Sequence, residues 1–236
     1  MNKNLKTALD AAFAAPAPAE KQAFLRKLPP RPVSHAAFML SQAGYIRKST
    51  WALSAVILVL ALAVGRYAPD DALWVIAALT PLAALTAVTE NARSSLYGME
   101  ELELATRFSL KSVVLARMGG LGLVHLFLLC LLSPLARVGA AAGLLPAGVY
   151  LLTPYLLTTL LGLAVVRRIR GREAVYVCGA LALLVSGLNT VQSSFSRLYE
   201  PEYFPWWLAA LALCAALTAW EYHKTIQKSE ELSWSL

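Results

Sequence analysis

The sequence predicts an all-α integral membrane protein. It has six transmembrane helices, an N-terminal amphipathic interfacial helix, and a short amphipathic helix in the loop after the second span. Three observations predict this. First, six apolar runs, at 51–67, 72–89, 113–135, 144–166, 174–195 and 204–222, carry no Asp, Glu, Lys or Arg in their middles. An ionised side chain at the bilayer centre costs roughly 2.5–3.5 kcal/mol, and about 20 apolar residues in a helix cross the ~30 Å of hydrocarbon. Second, 58% of the 236 residues are hydrophobic and 15% are charged, with a mean hydropathy of +0.58. That leaves too little polar surface for a soluble domain of this size. Third, the basic residues are unevenly placed. With the N-terminus in the cytoplasm, only Arg66, Arg137 and Arg197 of the 21 Lys and Arg fall outside. This asymmetry is the positive-inside pattern. It places both termini in the cytoplasm, as expected for a multi-pass protein of a bacterial-type inner or plasma membrane. The net charge of +7 then reads as topology, with a weak attraction to membrane lipid, and not as nucleic-acid affinity.

Along the chain, residues 1–33 form a cytoplasmic tail divided by Pro16, Pro18, Pro29, Pro30 and Pro32. Ser34 is a good N-cap for an interfacial helix over 34–50. In it Ala36, Met39, Leu40, Ala43 and Ile46 recur at spacings of three and four and make one apolar stripe. Arg47 and Lys48 mark headgroup depth, and Trp51 begins the transmembrane domain of residues 51–222. The first apolar run begins only at residue 51, so it reads as a retained span and not a secretory signal. In the second cytoplasmic loop Leu96, Met99, Leu102 and Ala105 are three apart, with Glu100, Glu101 and Glu103 largely on other faces, as in a short amphipathic helix. The outer loops leave no room for a folded domain, and residues 223–236 form a cytoplasmic C-terminal tail.

No catalytic constellation stands out. Ser186 lacks the Gly two positions earlier that a rhomboid-type serine protease would place there, and no HExxH occurs for zinc. Glu100 and Glu101 followed by Arg107 miss the spacing of CAAX-type membrane proteases and lie in a loop. The chain has no P-loop, so any ATP-driven work requires a separate ATPase polypeptide. No carboxylate lies deep in a span, and Glu90 and Glu221 read as interfacial. His125, the one His within a span, reads as a packed neutral imidazole. Cys130, Cys178 and Cys214 read as small packing residues, and Pro81 and Pro154 predict kinks. The fifth span is polar in its second half. Ser186, Asn189, Gln192 and Ser193 either hold helices together or line a polar cavity, and both readings stay open.

Two cytoplasmic regions carry a resemblance. One is 24–28 (Phe-Leu-Arg-Lys-Leu) with 41–48 (Ser-Gln-Ala-Gly-Tyr-Ile-Arg-Lys). The other is 97–103 (Tyr-Gly-Met-Glu-Glu-Leu-Glu) with Arg107, Phe108, Ser109, Ala116, Arg117 and Met118. Together they resemble the small six-helix permeases of the ABC-2 type. The resemblance implies a non-catalytic membrane subunit of an ATP-binding-cassette exporter. Met39, Leu40, Tyr45, Ile46, Arg47 and Lys48 would belong to its connecting helix. Leu96, Met99, Glu100, Glu101, Leu102, Glu103 and Arg107 would belong to a coupling helix docked on an ABC ATPase subunit. It further implies ATP and Mg²⁺ on that partner, no cofactor on this chain, and a second permease copy or a paralogous permease to complete the transporter. The loop before the last span is shorter than in family members with outer domains. The alternative readings are a non-transporting scaffold or regulatory anchor for a cytoplasmic partner, and an intramembrane enzyme that acts on lipid or peptide without nucleotide.

Overall fold

A computed structural model describes Ser41 and residues 44–96, 110–136, 143–169, 171–194 and 201–234. Six long helices account for nearly all of them: α1 (Lys48–Tyr67), α2 (Ala72–Leu96), α3 (Leu110–Ala136), α4 (Leu144–Arg168), α5 (Arg172–Ser194) and α6 (Phe204–Trp234). Short 3₁₀ turns at Pro69–Asp71 and Pro201–Tyr203 precede α2 and α6, and no strand occurs among the described residues. Every helix but α3 is long and apolar enough to cross a bilayer; α3 has an apolar stretch at Met118–Pro134. The chain is a multi-pass membrane protein, all-helical among the described residues.

The helix starts agree with the apolar runs to within a few residues. The clearest difference is at the C-terminus, where α6 continues through the expected tail to Trp234. Lys224, Gln227 and Lys228 are sound helix formers and no Gly or Pro interrupts them, so the polar residues end the span without ending the helix. His223 and Gln227, one turn apart, are 3.0 Å apart side chain to side chain, and the Lys224 ammonium lies 5.1 Å from the centre of the Trp220 ring. At the start of the bundle, residues 41, 44 and 45 are helical and Ile46 is a buried bend. Arg47 is extended (φ −59°, ψ 139°), and α1 begins at Lys48. This is a break in the helical path at the depth where the sequence places the first headgroup-level charges. Residues 34–40 lie outside the described residues.

The second helix is the axis of the bundle. Helices α1, α3, α4 and α5 all pack on α2, and α6 packs on α4 and α3. Of the apolar span, 61% is buried in α2 and 6% in α6. The composition of α2 explains its place. Ala72, Ala77, Ala78, Ala83, Ala84 and Ala92 are all buried. Small side chains let neighbouring backbones come close, which is how helices gain contact energy where lipid is as apolar as Leu. Gly162 on α4 makes the same accommodation, since a Cβ there would stand 2.8 Å from a methyl of Val88 on α2.

Pro81 lies inside α2 and has no N–H for the carbonyl four residues back, which is that of Ala77. The Thr80 hydroxyl donates to that oxygen at 2.9 Å. The next carbonyl, Ala78, accepts from the Ser186 hydroxyl of α5 at 2.6 Å. The backbone acceptors beside the proline are thus met by side chains, as an unhydrated medium requires. Between α4 and α5 the chain reverses within three residues. Gly171 (φ 91°) takes the left-handed conformation that a Cβ disfavours.

Candidate functional site

Polar residues in the interior converge on the end of the bundle where α1 and α5 begin and α2 and α4 finish, the end rich in Arg. Thr50 and Ser54 are one turn apart on α1, and Thr86 and Glu90 are one turn apart on α2. The helices run antiparallel, so the two pairs meet as two rungs. In the outer rung the Thr50 hydroxyl donates to Glu90 Oε1 at 2.8 Å. In the inner rung Ser54 Oγ and Thr86 Oγ1 lie 3.3 Å and 3.5 Å from Nε2 of His125, which α3 supplies. Nδ1 of the same ring is 3.2 Å from the Tyr155 hydroxyl of α4, and the two rings meet edge to face at 5.8 Å. Four helices therefore join through one imidazole that is fully buried.

The single hydroxyl hydrogen of Thr86 goes to the Ala83 carbonyl at 2.8 Å, so Thr86 can only accept from the ring. With the ring proton on Nε2, that nitrogen donates to Thr86 or Ser54 and Nδ1 accepts from the Tyr155 O–H; with it on Nδ1, that nitrogen donates to Tyr155 and Nε2 accepts from Ser54. Either tautomer links the helices. The arrangement is a hydrogen-bonded joint. Among the described residues, no three His, Cys, Asp or Glu side chains stand together as metal ligands.

Two cavities flank this joint. One, of about 470 Å³, is lined at the Arg-rich end by Arg47, Thr50, Thr86, Glu90, Arg172 and Tyr176, among others. The second, of about 450 Å³, lies between α2, α3, α4 and α6 and is almost wholly apolar, with Val88, Met118, Leu126 and Tyr155 in its wall. Thr86 belongs to the first wall and Tyr155 to the second, with His125 between them. Nearby, the Arg167 guanidinium of α4 meets the Glu221 carboxylate of α6 through two contacts of 2.9 Å. That two-point geometry ties the peripheral helix to the bundle.

The residues singled out in the sequence fall in several places. Ser186 spends its hydroxyl on Ala78, and the buried Asn189 amide donates to the Val185 carbonyl of its own helix at 3.1 Å. Gln192 and Ser193 are helical residues of α5 whose side chains lie outside the described residues. Leu96 is the last residue of α2, and Met99, Glu100, Glu101, Leu102, Glu103 and Arg107 lie outside the described residues. Of the connecting-helix residues, Tyr45 is exposed and Ile46 buried, Arg47 lines the polar cavity, and Lys48 opens α1. Met39 and Leu40 lie outside. Glu90, expected at the interface, is 7% exposed and bonded to Thr50. Thr50, Ser54 and Thr86 carry no local motif that marks them in the sequence. The available signal was the four-residue spacing repeated on two consecutive spans at matching depth. Comparison of the chain with protein-family models, curated proteins and solved structures finds no match.

Proposed function

We propose that the chain is a membrane-spanning permease subunit of an ABC exporter, paired with a second permease and driven by a separate ATPase that docks on the connection between α2 and α3. One observation supports this reading above the others. The most buried helix, α2, does not stop at the end of its apolar span. It continues past Glu90 to Leu96, roughly 9 Å at 1.5 Å per residue, into the connection that leads to α3. Four helices pack on α2, so a partner gripping that connection pushes on the axis of the bundle and not on its rim. The acidic run Glu100, Glu101 and Glu103 supplies charge for a basic docking surface.

On this reading the Arg-rich end faces the cytoplasm, and the polar joint lies where displacement of α2 would be felt first. The test is copurification of ATPase activity with the full chain from native membranes in detergent. The Glu100→Lys, Glu101→Lys double variant should lose at least about ten-fold of that activity at unchanged chain yield, by reversal of the docking charge. Wild-type ATPase recovery in the double variant would overturn the docking assignment. So would modification of Met99→Cys by an impermeant thiol reagent from the outer face of the cell.

A further inference from the structure

The apolar cavity beside Tyr155 is a slot that the packing of this chain leaves unfilled. Its walls run from Met118 to Leu129 on α3 and from Leu152 to Leu163 on α4, with the buried Val88 of α2 at the back. At 1.5 Å per residue each wall is roughly 16 Å long, about half of the ~30 Å of hydrocarbon. The slot starts toward the Arg-rich end, where α4 and α6 finish their spans, and ends near the middle of the bundle. It opens sideways into the bilayer. Helix α6 packs far more on α4 than on α3, and the lips of the gap are Leu126 of α3, 46% exposed, and the exposed Ala215 and Ala219 of α6. Its Arg-rich end is closed. Arg167 stands one turn beyond Leu163 and Glu221 one turn beyond Thr218, so their two-point ion pair crosses that end. Glycine makes the room. Gly119 and Gly122 lie in the α3 wall, and a Cβ at either would meet nothing within 4 Å. Glycine weakens a helix relative to alanine, and here no neighbour in the chain requires it, unlike Gly162 against Val88.

We propose that this slot holds one acyl chain of a glycerophospholipid from the leaflet at the Arg-rich end, with the head group left outside between α3 and α6. The dimensions choose the occupant. A spanning helix of a second copy needs the full ~30 Å of hydrocarbon and is at least about 10 Å across, a cross-section of roughly 80 Å². About 450 Å³ spread over a length of roughly 16 Å leaves a cross-section of about 30 Å², the room of a single hydrocarbon chain. The length matches the reach of one leaflet. The wall chemistry agrees, since Thr159 and Thr218 spend their hydroxyl protons on the Tyr155 and Cys214 carbonyls of their own helices. An empty slot would leave its wall without partner atoms on one side, and an acyl chain restores those dispersion contacts and bridges α3 to α6. A free fatty acid has the same chain, but its carboxylate would arrive beside Arg167, whose charge Glu221 already matches. Recognition is therefore by the chain and independent of head-group charge.

Binding is a property of this chain alone and is measured without ATPase or transport, so it stands or falls separately from the permease reading. The full chain is reconstituted in dioleoyl phosphatidylcholine with a trace of phosphatidylcholine carrying a photoreactive diazirine in mid-chain. After irradiation the labelled residues are mapped by peptide mass spectrometry. Tyr155, 7% exposed, and Leu156 should be labelled at least as strongly as Leu60 on the outer surface of α1, 47% exposed. Gly119→Leu with Gly122→Leu fills the slot in a helix that leucine favours. It should lower labelling at Tyr155 and Leu156 at least about five-fold, leave Leu60 unchanged, and melt no lower than the wild type in detergent. Ala215→Leu with Ala219→Leu narrows the slot from α6 and should act likewise. Dioleoyl phosphatidylcholine and phosphatidylglycerol should raise the melting temperature of the wild type equally, and dihexanoyl phosphatidylcholine should not. Labelling that follows exposure alone would overturn the proposal, as would labelling at Tyr155 and Leu156 that persists in both variants. Displacement of the phospholipid by oleic acid at equal mole fraction would assign the slot to a free fatty acid, and a dimer that both variants dissociate would assign it to a second copy; either outcome also overturns it.

Discussion

The two ends of the bundle are held by different chemistry. Where α4 and α6 begin, Tyr150 is 1% exposed, and its ring meets Trp207 edge-on at 5.2 Å and Phe204 at 6.5 Å. At the Arg-rich end, the facing positions of α1 and α2 carry hydroxyls, a carboxylate and, one layer deeper, an imidazole, and a cavity lies beside them. Rings fill volume, and edge-to-face pairs add roughly 0.5–1.5 kcal/mol each beyond burial. Hydrogen bonds between membrane helices are worth about 0.6 kcal/mol on average and at most about 1.7. The aromatic end is therefore the firmer anchor. The polar end has directional contacts of modest energy, which can be exchanged without dismantling the fold.

The largest expected effect breaks the aromatic side of that comparison. Tyr150→Ala removes a fully buried ring that contacts α6 and should cost at least about 3 kcal/mol, as loss of a core aromatic does. Steric trapping or thermal unfolding in bicelles measures it, with α6 released first. A loss below about 1 kcal/mol would show that the rings do not anchor this end and would erase the contrast.

A smaller effect tests the polar side. Tyr155→Phe keeps the ring and removes the hydroxyl that hydrogen-bonds Nδ1 of His125, so a buried ring nitrogen loses its partner. The expected cost is about 1–2 kcal/mol. His125→Leu removes the same bond from the other side, so the double variant should cost clearly less than the two single losses added together. Additivity to within about 0.3 kcal/mol would mean that Tyr155 and His125 merely pack against each other.

The same contrast explains what the sequence could and could not reveal. Spans were legible because hydropathy is local. Runs without charge predict helices, and α1, α2, α4, α5 and α6 lie where the runs lie. The extent of α6 was not, since hydropathy marks where a helix leaves lipid and says nothing of where it unwinds. The polar joint was hidden for a different reason. Thr50, Ser54, Thr86, Glu90, His125 and Tyr155 are one or two per helix and become a network only when four helices meet. The fifth span drew attention because its polar residues crowd together in sequence. Yet Ser186 turns to a carbonyl of α2 and Asn189 to one of its own helix. Polar density along a single span is thus a poorer guide to a shared site than matching depth across several.

The smallest predicted effect sharpens this last point. Ser186→Ala removes the donor to the Ala78 carbonyl, and Thr80→Val removes the donor to the Ala77 carbonyl beside it. Each should cost about 0.6 kcal/mol, the average for a bond of this kind in a membrane helix. The two carbonyls are adjacent and both lie by Pro81, so the pair of losses should exceed the sum of the singles. Pro81→Ala supplies the N–H that Ala77 lacks, and in that background Thr80→Val should become nearly silent. Persistence of its full cost there would show that the threonine is not compensating for the proline. If Ser186→Ala instead leaves stability untouched and, on the proposed permease reading, lowers transport in vesicles, the residue lines a substrate path. The hydrogen bond to Ala78 would then be a resting contact that gives way during transport.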